Sequence, residues 1–193
     1  MLTTSPNTIS WYDICMEFNE KTLQSNVVYD GRIITVLSDS VELADGHKSF
    51  REVVKHSGGV VILAFKDEDT ILLVKQYRYP IGETVLELPA GKLEKGEDPF
   101  EAAKRELEEE TGYCANKWTD LGYINTSPGF SDEKLYLYLA QDLEYTHCHP
   151  DEGEIIQAFE YKYDDVLKMI DNGEINDAKT ICGLMRANMK RII

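Results

Sequence analysis

The segment GKLEKGEDPFEAAKRELEEETGY, residues 91–113, carries the densest pattern in the chain. Asp98 is a good helix N-cap, Pro99 suits the first helical position and Glu101 completes a capping-box spacing. The helix is predicted to run to about Thr111, with Gly112 as its stop. Phe100, Ala103 and Leu107 fall on one stripe, the packed face. Between residues 94 and 110 lie the acids Glu94, Glu97, Asp98, Glu101, Glu106, Glu108, Glu109 and Glu110, with Arg105 and two lysines as basic company. An arbitrary Glu-rich helix presents such acids to water. Here Glu106, Glu109 and Glu110 stand at i, i+3 and i+4, which sets their Cβ atoms ~5–6 Å apart on one face. Glu108 breaks the spacing and points elsewhere. Like charges so placed destabilise a helix unless a cation neutralises them. Arg105 can reach Glu101 or Glu109, but no Lys or Arg stands at helical spacing from Glu106 or Glu110. Carboxylate clusters suit hard divalent ions, so Mg²⁺ or Mn²⁺ is the expected cofactor.

Upstream, the apolar run from Gly58 to Phe65 suits a buried strand. Val60–Phe65 and Ile71–Tyr77 flank Lys66-Asp67-Glu68-Asp69 as a hairpin, and Val85–Leu88 is a further strand that Pro89-Ala90-Gly91 breaks. Downstream, Trp118–Ile124, Leu135–Leu139 and Ile155–Tyr161 read as strands, and Tyr163–Asn172 and Asp177–Ile193 as helices. Strands interleaved with helices predict an α/β sandwich around a mixed sheet, an α+β arrangement. Residues from about Val27 to Val54 read differently. Val28-Tyr29 leads to an Asp30-Gly31 turn, Arg32–Leu37 is apolar-rich, and Val41–Leu43, an Asp45-Gly46 turn and Phe50–Val54 follow. This antiparallel meander is too thin to bury its own face, so it should pack on the main domain or on a second subunit. The predicted division is residues 1–54, an N-terminal segment with the meander, and residues 55–193, the main domain.

Composition narrows the function. The chain has 193 residues, 42% hydrophobic and 28% charged, enough to bury a sizeable core. It carries 20 basic against 35 acidic residues, net -15. Non-specific binding to nucleic acid or to an anionic membrane needs surplus Lys and Arg, so neither is expected. An anionic substrate would have to be attracted by something other than net charge, and a bound metal is the usual answer. No apolar stretch approaches the ~20 residues of a membrane span. The N-terminus shows neither a basic n-region nor an apolar h-region, so no secretion signal is expected. The four cysteines, at positions 15, 114, 148 and 182, form no CxxC. Free thiols suit a reducing cytoplasm.

Gly91-x5-Glu97-x7-Arg105-Glu106-Leu107-x-Glu109-Glu110-x-Gly112-Tyr113 resembles a complete Nudix box. Seven fixed polar or glycine positions at set spacing would arise by chance on the order of once in 10⁸ starting positions. Tyr113 departs mildly, at a place more often aliphatic that carries packing rather than a ligand. Beyond the box, Arg51-Glu52-Val53-Val54 with His56 and Gly58, Gln76-Tyr77-Arg78, and Glu87-Leu88-Pro89-Ala90-Gly91 resemble the ADP-ribose pyrophosphatase branch of Nudix hydrolases. So do Ser127-Pro128-Gly129-Phe130-Ser131-Asp132-Glu133, Asp151-Glu152-Gly153-Glu154 and Asp177-Ala178-Lys179-Thr180. The likeness spans about Tyr29 to Leu184, and residues 1–25 carry none.

The resemblance implies a Nudix-type α/β/α sandwich. It also implies hydrolysis of ADP-ribose to AMP and ribose 5-phosphate, with water attacking a pyrophosphate phosphorus. Glu106 and Glu110, with the Ala90 carbonyl, would hold the metal. Glu109 would bridge or orient on the same face, and Glu154 matches a further ligand in some members. Arg105 reads as a brace for the catalytic carboxylates. Gly91 lets backbone approach the site closely. Glu152 stands where a mobile loop supplies the general base, with Glu109 as the alternative. Arg51 and Arg78 would contact pyrophosphate or ribose phosphate. Arg32 and Ile33 match positions that sandwich adenine and Glu52 one that hydrogen-bonds it, contacts that cross a homodimer interface in the family. Ser127 and Glu133 would flank the same site. Two alternatives stand beside this reading: a broader nucleoside-diphosphate-sugar pyrophosphatase, for example on GDP-mannose, and a Nudix-like module that binds ADP-ribose without cleaving it.

Overall fold

A computed structural model describes residues 18–147 and 155–190. By its internal contacts the chain divides into two units at Val54. In the first, β1 (Glu20–Asp30), β2 (Ile34–Leu43) and β3 (Lys48–His56) form a meander of order β1-β2-β3. β1 pairs antiparallel with β2 from Glu20↔Leu43 to Asp30↔Thr35, with bulges near Leu23 and Val28. Every residue of β1 is exposed. Three sequence expectations are corrected here. β1 starts at Glu20 rather than near Val27, because pairing with β2 extends it through a polar stretch with little alternation. Arg32 and Ile33 lie in the turn rather than in the strand, where the Gly31 N–H donates to the Ile34 carbonyl at 2.9 Å and the Thr35 hydroxyl to Asp30 at 2.9 Å. β2 runs unbroken through Ser38-Asp39-Ser40, because the ladder to β1 supplies what propensity does not.

The second unit is built around β4 (Gly59–Ala64), every residue of which is buried. β4 lies between β7 (Ala90–Lys92), antiparallel, and β9 (Lys134–Tyr145), parallel, in a sheet of order β7-β4-β9-β8, with β8 spanning Tyr113–Asn125. β5 (Thr70–Arg78), β6 (Glu83–Glu87) and β10 (Ile156–Lys162) form a second sheet of order β10-β5-β6. Among the described residues three helices lie where the sequence predicts them, α1 (Pro99–Thr111), α2 (Tyr163–Asp171) and α3 (Ala178–Met189). α3 ends before Lys190, and the last predicted residues, 191–193, lie outside the described residues.

Side chains of β4 alternate between two cores. Val61 and Leu63 pack with Ile71, Leu73, Leu137, Leu139, Val166 and Leu184, the last two from α2 and α3. Val60, Ile62 and Ala64 pack with Leu72, Ala102, Ala103 and Leu107, the last three from α1. A helix therefore covers each side of the mixed sheet, the α/β/α arrangement, and a strand buried on both faces reads as a continuous apolar run.

The missed element is β7. Ala90–Lys92 follows a proline and has no strand propensity of its own; pairing with Gly59–Val61 makes it a strand. β8 and β9 also run longer than expected, since each extends the other through Tyr113↔Tyr145. Among the described residues no helix is long and apolar enough to cross a membrane.

Candidate active site

Local chemistry fixes α1 as the sequence predicts. The Asp98 carboxylate accepts from the backbone N–H groups of Phe100 at 2.9 Å and Glu101 at 3.3 Å, and Pro99 occupies the first turn. Gly112 ends the helix in the left-handed region (φ 75°), its N–H donating to the Glu108 carbonyl at 2.8 Å. Ala102, Ala103 and Leu107 lie inward, so the helix is held at a fixed rotation against β4. That rotation brings Glu106 and Glu110 against β7, while Glu109 meets Arg105.

Glu110 is the most enclosed of the three, 4% exposed, and its Oε2 accepts from the Ala90 N–H at 2.9 Å. The Glu106 side chain is 12% exposed and Glu109 26%. Gly91 makes the approach possible: a Cβ built there would overlap the Glu106 carboxylate. Glu108 is turned away, as expected, and accepts from the Thr146 hydroxyl at 2.9 Å.

Arg105 binds more carboxylates than helical spacing foretold. Its Nε donates to Glu97 Oε1 at 3.0 Å and its Nη1 to Glu106 Oε1 at 2.9 Å and Glu109 Oε2 at 2.8 Å. Glu101 is not its partner but pairs with Lys104 at 2.8 Å, because it sits one turn back on the solvent side. The hydrogen bond to Glu97 leads the effects that hold the Arg105 guanidinium above its ordinary range, outweighing partial burial. The same bond holds Glu97 below its own. Glu97 thus ties the loop before α1 to the acidic face. Its place in the box marked it, but its partner lies outside helical spacing.

Among the described residues, no three His, Cys, Asp or Glu side chains are set to hold a metal ion by themselves. Mg²⁺ commonly takes only one or two protein carboxylates and fills the rest of its shell with water and substrate phosphates. The donors are hard oxygens, and the Glu106 carboxylate packs directly against the backbone at Gly91, in the space a side chain there would take. The residues present fit Mg²⁺ or Mn²⁺.

The other predicted residues distribute as follows. Ser127 closes a turn, its carbonyl accepting from Phe130 at 3.0 Å and Ser131 at 2.9 Å. Glu133 accepts from the Thr126 hydroxyl at 2.6 Å. Beside it, partial burial pushes the Asp132 carboxyl up, but the Lys55 ammonium and the His56 N–H prevail and hold it below the usual range. Arg78 lies on β5 with its guanidinium on Glu87. Arg32, Ile33, Arg51 and Glu52 belong to the first unit. Arg51 is engaged there, by Glu20 at 2.8 and 2.5 Å and by Ser49 at 3.0 Å. Glu152 and Glu154 lie outside the described residues. Sequence reasoning quoted Glu87 and Lys179 within family-like motifs but gave neither a role, and their pairing joins distant parts of the chain.

Known proteins resemble the chain along most of its length. Residues 55–184 match the model of the NUDIX domain, and residues 20–54 that of the nucleoside diphosphate sugar hydrolase N-terminal domain. The second match begins earlier than the likeness read from the sequence, which started near Tyr29. An ADP-ribose pyrophosphatase of Bacillus subtilis is 43% identical over 176 residues, 90% of this chain and 95% of the relative. A methanol dehydrogenase activator of Bacillus methanolicus is 40% identical over 178 residues, 91% and 96% of the two chains. The crystal structure of an ADP compounds hydrolase shares the fold, with a TM-score of 0.78 at 24% identity, over 88% of this chain and 92% of that one.

Proposed function

The chain belongs to the Nudix family, and from that premise we propose that it hydrolyses the pyrophosphate bond of ADP-ribose to AMP and ribose 5-phosphate, with Mg²⁺ as cofactor and Mn²⁺ as a substitute. The observation that carries this reading is the joining of Glu106 and Glu110 to the 90–91 backbone, one through the gap at Gly91 and one through the Ala90 N–H.

Glu106, Glu110 and the Ala90 carbonyl would hold the cation, with Glu109 and Glu154 as further carboxylates. Bound there, Mg²⁺ neutralises charge on the pyrophosphate and makes water more acidic. Arg105 keeps Glu106 and Glu109 in place, which is a positioning role. Glu152 takes the proton of the attacking water as its oxygen bonds to phosphorus and the bridging P–O bond breaks, Glu109 being the alternative base. Arg51 and Arg78 contact the phosphates, Ser127 and Glu133 flank the substrate, and Arg32, Ile33 and Glu52 receive adenine. The protein acts as a homodimer through residues 1–54, since a strand exposed along its whole length with Val27, Val28 and Tyr29 uncovered needs a partner. A cytoplasmic location suits the free thiols of Cys114 and Cys182.

The match of residues 20–54 favours a second reading, a broader nucleoside-diphosphate-sugar pyrophosphatase. Incubation with ADP-ribose, GDP-mannose and other nucleoside diphosphate sugars in Mg²⁺, with products identified chromatographically, separates the two. AMP and ribose 5-phosphate from ADP-ribose far ahead of the other substrates supports the first reading. Comparable rates across bases support the second, and full turnover in excess EDTA refutes the metal. Glu152→Gln should lower kcat strongly with KM and Mg²⁺ dependence nearly unchanged. A mild effect there with a severe one at Glu109→Gln makes Glu109 the base, and loss of Glu154 should raise the Mg²⁺ needed for half-maximal rate.

A further inference from the structure

Glu87 is buried, 1% exposed, and faces two cations. Arg78 reaches its Oε1 with Nε at 2.8 Å and Nη2 at 2.6 Å, and the Lys179 ammonium pairs with Oε2. Lys179 also bonds Asp177 at 2.9 Å. Asp177 caps α3, accepting from the Thr180 N–H at 2.9 Å and the Thr180 hydroxyl at 2.6 Å. That hydroxyl in turn accepts from the Leu88 N–H at 2.9 Å. The first turn of α3 is therefore bonded to Glu87 and Leu88, the residues that lead into Ala90.

Buried ion pairs are a poor means of stabilising a fold. Their desolvation commonly outweighs their attraction, and apolar replacements are often neutral or better. Placing three charged side chains here makes sense if one of them is needed outside, and Arg78 is that one. Its side chain is 38% exposed. One edge of its guanidinium, Nε and Nη2, lies on Glu87, while among the described residues Nη1 has no partner. Glu87 precedes Ala90 by three residues, so their backbones are at most ~11 Å apart.

We propose that Glu87 and Lys179 are positioning residues that aim Arg78 at the diphosphate of the substrate. Lys179 lets Glu87 stay ionised while buried. Glu87 fixes the plane of the Arg78 guanidinium, and the outer edge donates to a phosphate oxygen, as a planar fork does best when it is held. The proposal rests on the ADP-ribose reading above and adds to it how one cation is oriented.

The test measures kcat and KM on ADP-ribose, and binding of inorganic pyrophosphate by calorimetry with Mg²⁺, for the wild type, Arg78→Ala, Lys179→Ala and the double variant. Each single change should raise KM about tenfold with kcat within about twofold, and the double variant should be no worse than Arg78→Ala alone. Lys179→Arg should recover most of the loss. Additive losses, or an unchanged KM in Lys179→Ala, overturn the proposal. If Lys179→Ala does not fold, Glu87→Gln combined with Lys179→Met removes both charges of the buried Glu87–Lys179 pair together. The same rise in KM is expected there, and a wild-type KM overturns the proposal. A wild type inactive on ADP-ribose refutes the substrate reading instead. Pyrophosphate binding then decides: affinity about tenfold weaker in both single variants upholds the positioning role, and unchanged affinity in Lys179→Ala ends it.

Discussion

A missing methyl group decides how close Glu106 comes to the backbone of β7. Because a Cβ at residue 91 would overlap that carboxylate, Gly91→Ala should displace Glu106 while leaving both cores untouched. A misplacement of about 1 Å can cost on the order of 10²-fold in rate, so kcat/KM should fall by about that factor and the Mg²⁺ requirement should rise. Circular dichroism should match the wild type. Glu110 and Glu108 make a sharper contrast. Glu110→Gln removes a charge that faces Ala90 and should lower kcat by about 10²–10³, or ~2.7–4 kcal/mol. Glu108→Gln changes a carboxylate bonded to Thr146 on another face, and its kcat should stay within about threefold of the wild type. Equal losses would mean that the helix face is wrongly assigned.

At the scale of elements, α1 and the loop before it are joined by Glu97 and Arg105. The Arg105 hydrogen bond holds the Glu97 carboxyl below its ordinary 4.5. A value lower in the folded than in the unfolded state contributes stability that is fully present above about pH 4.5 and lost as pH falls through the lowered value. The melting temperature of Glu97→Gln should therefore lie below that of the wild type at pH 7, and the gap should close on acidification. A gap that persists at pH 2 would contradict the linkage. Helix α1 was legible because its signals are local: a capping residue, a proline, a glycine and a 3.6-residue stripe lie within one stretch of sequence. The short strand β7 was not, because Ala90–Lys92 becomes a strand through pairing with β4. The Glu87–Lys179 pair was equally hidden, since its two residues sit in motifs at opposite ends of the second unit and no spacing rule relates them. In the meander, turn residues showed where the chain reverses but not where β1 begins, which its ladder to β2 decides.

Across the whole molecule, the meander carries the prediction of self-association. Light scattering at micromolar concentration should give twice the chain mass of 22.0 kDa. Val27→Glu with Tyr29→Glu, on a strand exposed throughout, should return the monomer mass. A wild type that scatters as a monomer refutes the dimer. The parallel pairing of β4 with β9 has a different kind of consequence, for the order in which the protein can be made. Gly59 meets Leu135 and Ala64 meets Ala140, so one edge of β4 stays unpaired until β9 has left the ribosome. Until then this wholly uncharged, apolar strand is an open template for aggregation. In vitro, joining strands so distant in sequence should make refolding slow beside the microsecond closure of a hairpin. A chain truncated before Lys134 should accordingly be recovered in inclusion bodies rather than as a soluble fragment.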